Sequence, residues 1–89
     1  NTAENNLISV LKLKEDTLQR IERLTEERME ISRLIDKLAN PFERSVLRLF
    51  YLNDLDAWEV AEEIGKSKSS IYRVRQEAIE HLAGLVHAD

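Results

Sequence analysis

The first 38 residues carry an apolar pattern that is typical of one long helix. Their large apolar side chains recur about every 3.5 residues, which is close to the period of a helix. The main stripe consists of Leu7, Val10, Ile21, Leu24, Ile31, Ile35 and Leu38. It is widened by Leu11, Leu18 and Leu34, and the segment contains neither Gly nor Pro. The pattern predicts a helix from about Thr2 to Leu38, roughly 50 Å long at about 1.5 Å per residue.

Three polar residues, Lys14, Thr17 and Arg28, interrupt this stripe. A long apolar pattern without internal caps is typical of a coiled coil or of a helix docked across a domain. The interruptions either set the register of a dimer or indicate that only the second half packs on its own domain. We therefore interpret residues 1–39 as a possible coiled coil or oligomerisation segment, with a homodimer as one expected assembly.

A compact unit is predicted to begin at the Asn-Pro-Phe-Glu sequence of residues 40–43. Asn caps a helix, Pro suits its first position, and Glu three residues after the cap can bond back to it. This second helix should run to about Leu52, with Val46, Leu49 and Phe50 on one face. We expect the boundary near Ala39 and a domain over residues 40–89.

Two further helices follow in this unit. Asp56 and Glu59 form a capping-box pattern that opens a short third helix, and Gly65 should close it in a left-handed conformation. Ser67 is positioned to cap a fourth helix. The predicted buried face of the fourth helix consists of Ile71, Val74, Ala78, Leu82 and Leu85. The fold class is therefore all-α, a long N-terminal helix followed by three shorter helices.

The spacing from residue 57 to residue 76 is typical of a helix-turn-helix. Ala61 is small enough for two helices to cross closely, and Gly65 follows it by four residues. Ile71 and Val74 lie six and nine residues after Gly65, where they face the apolar side of the preceding helix. A turn of about three residues holds the helices at a steep angle, so that the second one projects outward.

The positive charges of the chain are concentrated in one segment, and this distribution favours nucleic-acid binding although the net charge is negative. The formal net charge of −4 argues by itself against such a partner. Residues 66–76, however, contain four cations and no acid. Affinity for DNA comes from local neutralisation of phosphates, so a basic segment on an acidic protein is sufficient.

The residue types on the outer side of the fourth helix suit a DNA groove. Arg73 and Lys68 can donate to guanine, Gln76 can pair with adenine, and serine can reach a base edge or a phosphate. The start of the helix also attracts a phosphate. The candidate DNA-binding residues are Lys66, Ser67, Lys68, Ser69, Ser70, Tyr72, Arg73, Arg75 and Gln76, with Arg44 and Arg48 bracing phosphates from the second helix.

Residues 41–82 resemble region four of bacterial sigma factors and the phage transcriptional regulators built on that unit. The resemblance lies in Glu-Arg-Ser-Val-Leu-Arg-Leu at 43–49 and in Glu-Val-Ala-Glu-Glu-Ile-Gly-Lys-Ser-Lys-Ser-Ser-Ile at 59–71. It implies that the last helix enters the major groove of a promoter element. The implied contact positions are Lys68, Ser69, Ser70, Tyr72, Arg73 and Gln76.

The sequence departs from that family in two places. Lys66 stands where the family usually has an apolar residue, and the long N-terminal helix does not resemble the sigma region that binds core polymerase. A phage-type or accessory regulator is therefore favoured over a complete sigma factor. A LuxR-type output domain shares much of the same pattern.

Other chemistries find little support in the sequence. The chain has no Cys, and His81 and His87 do not share a helix face, so we expect no metal site and no cofactor. Val60 stands where a phosphate-binding loop ending at Gly65 needs its first Gly. No catalytic set is recognisable, and we expect no enzyme activity. With no apolar run as long as a bilayer span and no visible signal peptide, we expect a cytoplasmic protein.

The favoured function is thus a transcriptional regulator that binds double-stranded DNA, with RNA polymerase or another transcription factor as a further partner. One alternative is a helical protein-interaction module, and another is the DNA-recognition subunit of a phage packaging enzyme. Trp58, the only Trp, is expected to pack against the long helix or the Phe42–Phe50 cluster, or else to contact a partner or the DNA backbone.

Overall fold

The computed structural model describes residues 1–87 and contains, within that range, four helices and no strand. The helices are α1 (Thr2–Asp36), α2 (Pro41–Tyr51), α3 (Ala57–Ile64) and α4 (Lys68–Val86). The predicted all-α class is confirmed. The long helix ends two residues earlier than predicted, and Leu38 is buried just beyond its end.

The local signals for helix starts and stops act largely as predicted. Asn40 Oδ1 accepts from the amide of Phe42 at 2.8 Å, and Ser67 Oγ accepts from the amide of Ser70 at 3.2 Å. Asp56 forms the complete capping box with its partner three residues later. Gly65 ends α3 in the left-handed conformation, with φ 77° and ψ 35°.

One cap differs from the prediction. Glu43 does not bond back to Asn40 as the capping-box pattern suggested, because its carboxylate turns to His81 on α4. Its side chain is 6% exposed, so it is a buried carboxylate with an imidazole partner. A buried charge requires such a partner, and this contact is stronger than a bond to an exposed backbone amide.

The core consists of two neighbouring clusters. The first joins α2, α3 and α4 through Val46, Val60, Ala61, Ile71 and Val74. The second joins the end of α1 to α2 and α4 through Ile35, Leu38, Leu47 and Ala78. Helices α2 and α4 both contribute to the two clusters, so this pair forms the centre of the fold.

Most of α1 projects away from this core. Every residue from 1 to 31 is exposed, and Ile35 is the buried residue of the helix. The radius of gyration is 19.4 Å, whereas a compact chain of this length has about 12 Å. Arg28 marks the transition, because it donates to the carbonyl of Leu52 and lies 3.6 Å from Asp54. Packing of α1 on its own domain is therefore limited to its last turns.

Part of the predicted buried face of α4 is wrong. Ile71, Val74 and Ala78 are buried and Leu82 is half-buried, but Leu85 is 46% exposed. Leu85 borders an open groove beside the α1–α2 connection at Ala39 and Asn40. Within residues 1–87 no helix covers Leu85, so the apolar period of α4 continues beyond the surface that could bury it.

Candidate nucleic-acid interface

Helices α3 and α4 are joined by a short turn, as a helix-turn-helix requires. The turn is tight because the amides of Gly65 and Lys66 both donate to the carbonyl of Ala61, at 2.8 and 3.1 Å. The inner sides of the two helices meet through Val60 and Ile71, which are fully buried. One side of the first half of α4 therefore packs against α3, and the opposite side faces solvent.

This outward side brings together the candidate residues of the turn and of α4. Ser70 and Arg75 are half-buried and the other seven are exposed. The exposed ones are Lys66, Ser67, Lys68, Ser69, Tyr72, Arg73 and Gln76. The surface carries four cations and no acid between residues 66 and 76, so it is locally positive on an acidic protein. We call it the α4 surface.

Three serine hydroxyls cluster at the start of α4. Ser67 Oγ donates to Ser70 Oγ at 2.9 Å and lies 3.2 Å from Ser69 Oγ. A helix start carries amides with a partial positive charge, and hydroxyls beside it are further donors for a phosphate. The cluster therefore offers several donors around one point.

Two candidate base-reading side chains are held loosely by acids of the next turn. Arg73 Nε lies 4.0 Å from Glu77 Oε1, and Gln76 Nε2 donates to Glu80 Oε1 at 3.2 Å. Exposed pairs of this kind contribute little free energy. Both side chains can therefore exchange these partners for a stronger acceptor at low cost.

Arg75 has a different environment from the other cations. Its guanidinium lies over the Phe50 ring at 4.7 Å and near the Tyr72 ring at 5.0 Å. Cation–π contacts of this kind stabilise by roughly 0.5–2 kcal/mol. Arg75 thus links α2 to α4 and positions Tyr72, which is 46% exposed on the α4 surface.

Arg44 and Arg48 lie at the end of α1 instead of on the α4 surface. Arg44 Nη1 donates to the carbonyls of Leu38 and Ala39 at 2.6 and 3.2 Å. Arg48 Nη2 pairs with Asp36 Oδ1 at 2.5 Å. Both cations have partners within the chain and connect α2 to the terminus of α1, where carbonyl groups lack helical partners.

Trp58 does not take the packed position that was one of its two expected environments. It is 57% exposed and borders a shallow hollow that includes Gly65, Lys66 and Lys68. The expected packing on the Phe42–Phe50 cluster is therefore wrong. The helical period contains the signal, because Ala57, Val60 and Ala61 define the buried side of α3 and Trp58 falls outside it.

The His81–Glu43 pair is a second polar feature, away from the α4 surface. Nδ1 of His81 lies 2.8 Å from Oε1 of Glu43. The hydrogen bond to this carboxylate raises the pKa of His81 above 6.5, and the charges of Glu43, Glu77 and Glu80 act in the same direction. No sequence signal links two residues so far apart in the chain.

Among residues 1–87, no helix has the length and apolar character needed to cross a membrane. The described part of the chain also holds no group of three or more His, Asp or Glu side chains that could bind a metal ion.

A family model described as "Protein of unknown function (DUF1492)" matches residues 4–83. The chain therefore belongs to this family. The match includes both the projecting helix α1 and the three-helix unit, so the two parts occur together in the family model. No curated protein and no solved structure matches the chain.

Proposed function

We propose that this protein is a transcriptional regulator that binds double-stranded DNA by placing the start of α4 in the major groove. One observation carries the proposal: Lys66, Lys68 and Arg73 are exposed at the tight turn between α3 and α4 and on α4 itself, with no acid between residues 66 and 76. The width of the major groove admits one helix, and a helix-turn-helix presents its second helix there.

The side chains of the α4 surface divide into two roles. Arg73 and Gln76 project from the middle of the exposed face, where they reach base edges with guanine and adenine as the preferred partners. Lys66, Lys68 and the serine cluster lie at the turn and the helix start, where they bind phosphates. Trp58 borders the shallow hollow that also includes Glu62, Lys66 and Lys68. An exposed indole N–H beside these lysines can donate to a phosphate, although the Glu62 carboxylate opposes an anion there.

The resemblance to sigma region four supports a role in transcription, with action in the cytoplasm beside RNA polymerase or another transcription factor. A phage-type or accessory regulator is favoured over a complete sigma factor, because α1 does not resemble the sigma region that binds core polymerase. The proposal assigns no catalytic step to the protein. A homodimer through residues 1–39 is the assembly that we favour.

A second candidate function is a helical protein-interaction module. The observation that favours it is the exposure of residues 1–31 of α1, which leaves a long apolar stripe for a partner. The two functions are compatible in one chain. They differ in whether the protein alone has an affinity for DNA that depends on salt and on base sequence.

The experiment that tests the proposal is selection of bound duplexes from a random DNA library near physiological salt, followed by sequencing. We expect enrichment of a defined motif. The logarithm of the affinity should fall linearly with the logarithm of salt concentration, with a slope near −0.9 per phosphate contacted. The absence of enrichment, with helical structure intact by circular dichroism, would contradict DNA reading and favour the interaction module.

A further inference from the structure

The exposed part of α1 carries an apolar stripe without a partner in the chain. Its central members are between 51% and 61% exposed: Leu7, Val10, Leu11, Leu18, Ile21 and Leu24. Before Arg28, α1 makes no hydrogen bond or ion pair with the rest of residues 1–87 outside its own helix. This stretch of about eight turns therefore has no tertiary support within one chain.

A helix with an uncovered apolar stripe needs another surface to pack against. Most of the stability of a helix in a protein comes from packing of its apolar face, and an isolated helix in water is marginal. Contiguous apolar surface of this size is also unusual on a monomer. The question is what kind of surface covers it.

The stripe is complementary to itself when two copies lie antiparallel. If Lys14 of one copy faces Thr17 of the other, Leu7 falls opposite Leu24 of the other copy. In the same register, Val10 falls opposite Ile21 of the other copy. The four apolar residues at the centre of the seam then meet apolar residues, and the two polar interruptions meet each other between them. Leu11 and Leu18 flank the seam, where Arg20 and Leu13 of the other copy lie opposite them. We propose that the protein forms an antiparallel homodimer through residues 4–27 of α1 in this register.

The exposed segment contains the whole of this seam. Residues 1–31 are exposed, and burial in the chain's own domain begins with Ser32. The proposed contact over residues 4–27 therefore lies within the part of α1 that the compact unit leaves uncovered.

A parallel dimer fits the same residues less well. In a parallel pair each residue faces its own copy, so Lys14 would face Lys14 across a closely packed seam. Two ammonium groups that face each other across a helix pair repel each other. The apolar side chains around them lower the local dielectric constant and thereby increase the repulsion. The antiparallel arrangement instead pairs each lysine with a threonine hydroxyl.

The six apolar side chains of the stripe are each more than half exposed. A helix pair would cover them on both copies, and burial of apolar surface stabilises association. The dimer does not depend on the proposed DNA binding, and each can fail without the other.

The mass in solution tests the dimer first. Sedimentation equilibrium of the full chain should give twice the chain mass at micromolar concentration. Ile21→Glu places a charge in the seam and should raise the dissociation constant at least about tenfold. Gln19→Glu adds the same charge on the outer face and should leave it unchanged. A monomer, a larger assembly, or equal effects of the two variants would overturn the proposal.

The orientation is tested by cross-linking, for which the absence of native Cys is an advantage. Leu7→Cys and Leu24→Cys proteins, mixed and treated with a short bis-maleimide, should form a mixed product. Leu7→Cys alone should not cross-link, since its two copies lie at opposite ends of the seam. Efficient cross-linking of Leu7→Cys to itself, without the mixed product, would show a parallel dimer and overturn the register.

Discussion

Nδ1 of His81 on α4 lies 2.8 Å from Oε1 of Glu43 on α2, across a sequence separation of 38 residues. The side chain of Glu43 is 6% exposed and that of His81 is 63% exposed. The pair joins the start of α2 to the second half of α4, beside the cluster that attaches α1. The pKa of His81 is raised by this contact, so we expect the stability of the helical unit to depend on pH.

The sign of this pH dependence follows from the raised pKa of His81. The folded state holds the imidazolium more tightly than the unfolded state does, because of the hydrogen bond to Glu43 and the acids around it. The contribution is fully present below pH 6.5 and is lost as the pH rises through the raised folded-state pKa. Urea unfolding at a series of pH values should therefore show a midpoint that falls as the pH rises through this window.

Two variants check that this dependence belongs to the pair. His81→Gln and Glu43→Gln should each flatten the pH profile, since either change removes the charge interaction. His87→Gln keeps the pair and should keep the slope that the pair produces. A slope that persists in His81→Gln would assign the effect to other groups.

The two glycines should respond in opposite directions to alanine. Gly65 has φ 77°, and a Cβ there would meet no atom within 4 Å, so the cost is backbone strain alone. Gly65→Ala should lower the free energy of unfolding by about 1–2 kcal/mol. Gly84 lies inside α4 with equally open space. Gly84→Ala should raise the free energy of unfolding by about 0.5–1 kcal/mol. Similar effects of both changes would contradict the left-handed turn.

Arg73 is the most informative position for base reading. Arg73→Ala should weaken specific binding by about 1–3 kcal/mol and relax the base preference at one position of the motif. Lys68→Ala should weaken binding about equally on all sequences and reduce the salt slope by about 1. Arg23→Ala, an exposed cation of α1, is the control for loss of charge. An Arg73→Ala protein with unchanged affinity and preference would remove this residue from the interface.

Arg44 and Arg48 are expected to act on stability to different degrees. Arg44 donates to two carbonyls at the end of α1 in a partly buried place, so Arg44→Ala should cost about 1.5–3 kcal/mol. Arg48 forms an exposed pair with Asp36, and Arg48→Ala should cost about 0–1 kcal/mol. Urea unfolding measures both effects. DNA affinity of the folded Arg48→Ala protein then shows whether this cation also braces a phosphate.

The two proposals together predict the spacing of the DNA site. In the antiparallel dimer, the ends of the two α1 helices lie about 60 Å apart, since about 20 residues separate each end from the centre. Two copies on one duplex should therefore select half-sites about two helical turns apart, with a turn taken as about 34–36 Å. The selected motifs measure this directly. Half-site centres one turn apart would argue for side-by-side units and against the antiparallel seam.

Much of the fold follows from interactions between residues close in sequence. Helix starts at Asn40, Asp56 and Ser67 depend on side chains that bond to amides two or three residues away. The stop at Gly65 depends on one backbone conformation. These local terms, together with the 3.6-residue period, also identified the outward side of α4 and its exposed candidates.

The tertiary structure decided what depends on distant neighbours. Glu43 lies three residues after Asn40, where a helix cap would find its partner. It packs against α4 instead, and its carboxylate forms a hydrogen bond with His81. Leu85 continues the apolar period of α4 but is exposed because, within residues 1–87, no helix covers it. Arg75 and Arg44 were both predicted to contact DNA. The packing of α2 shows that Arg75 lies over Phe50 and that Arg44 donates to a carbonyl at the end of α1. The sequence by itself determined which residues form helices and which face of each is apolar, because those choices are local. Which faces meet, and which charges are thereby occupied, depended on the three-dimensional packing of the helices.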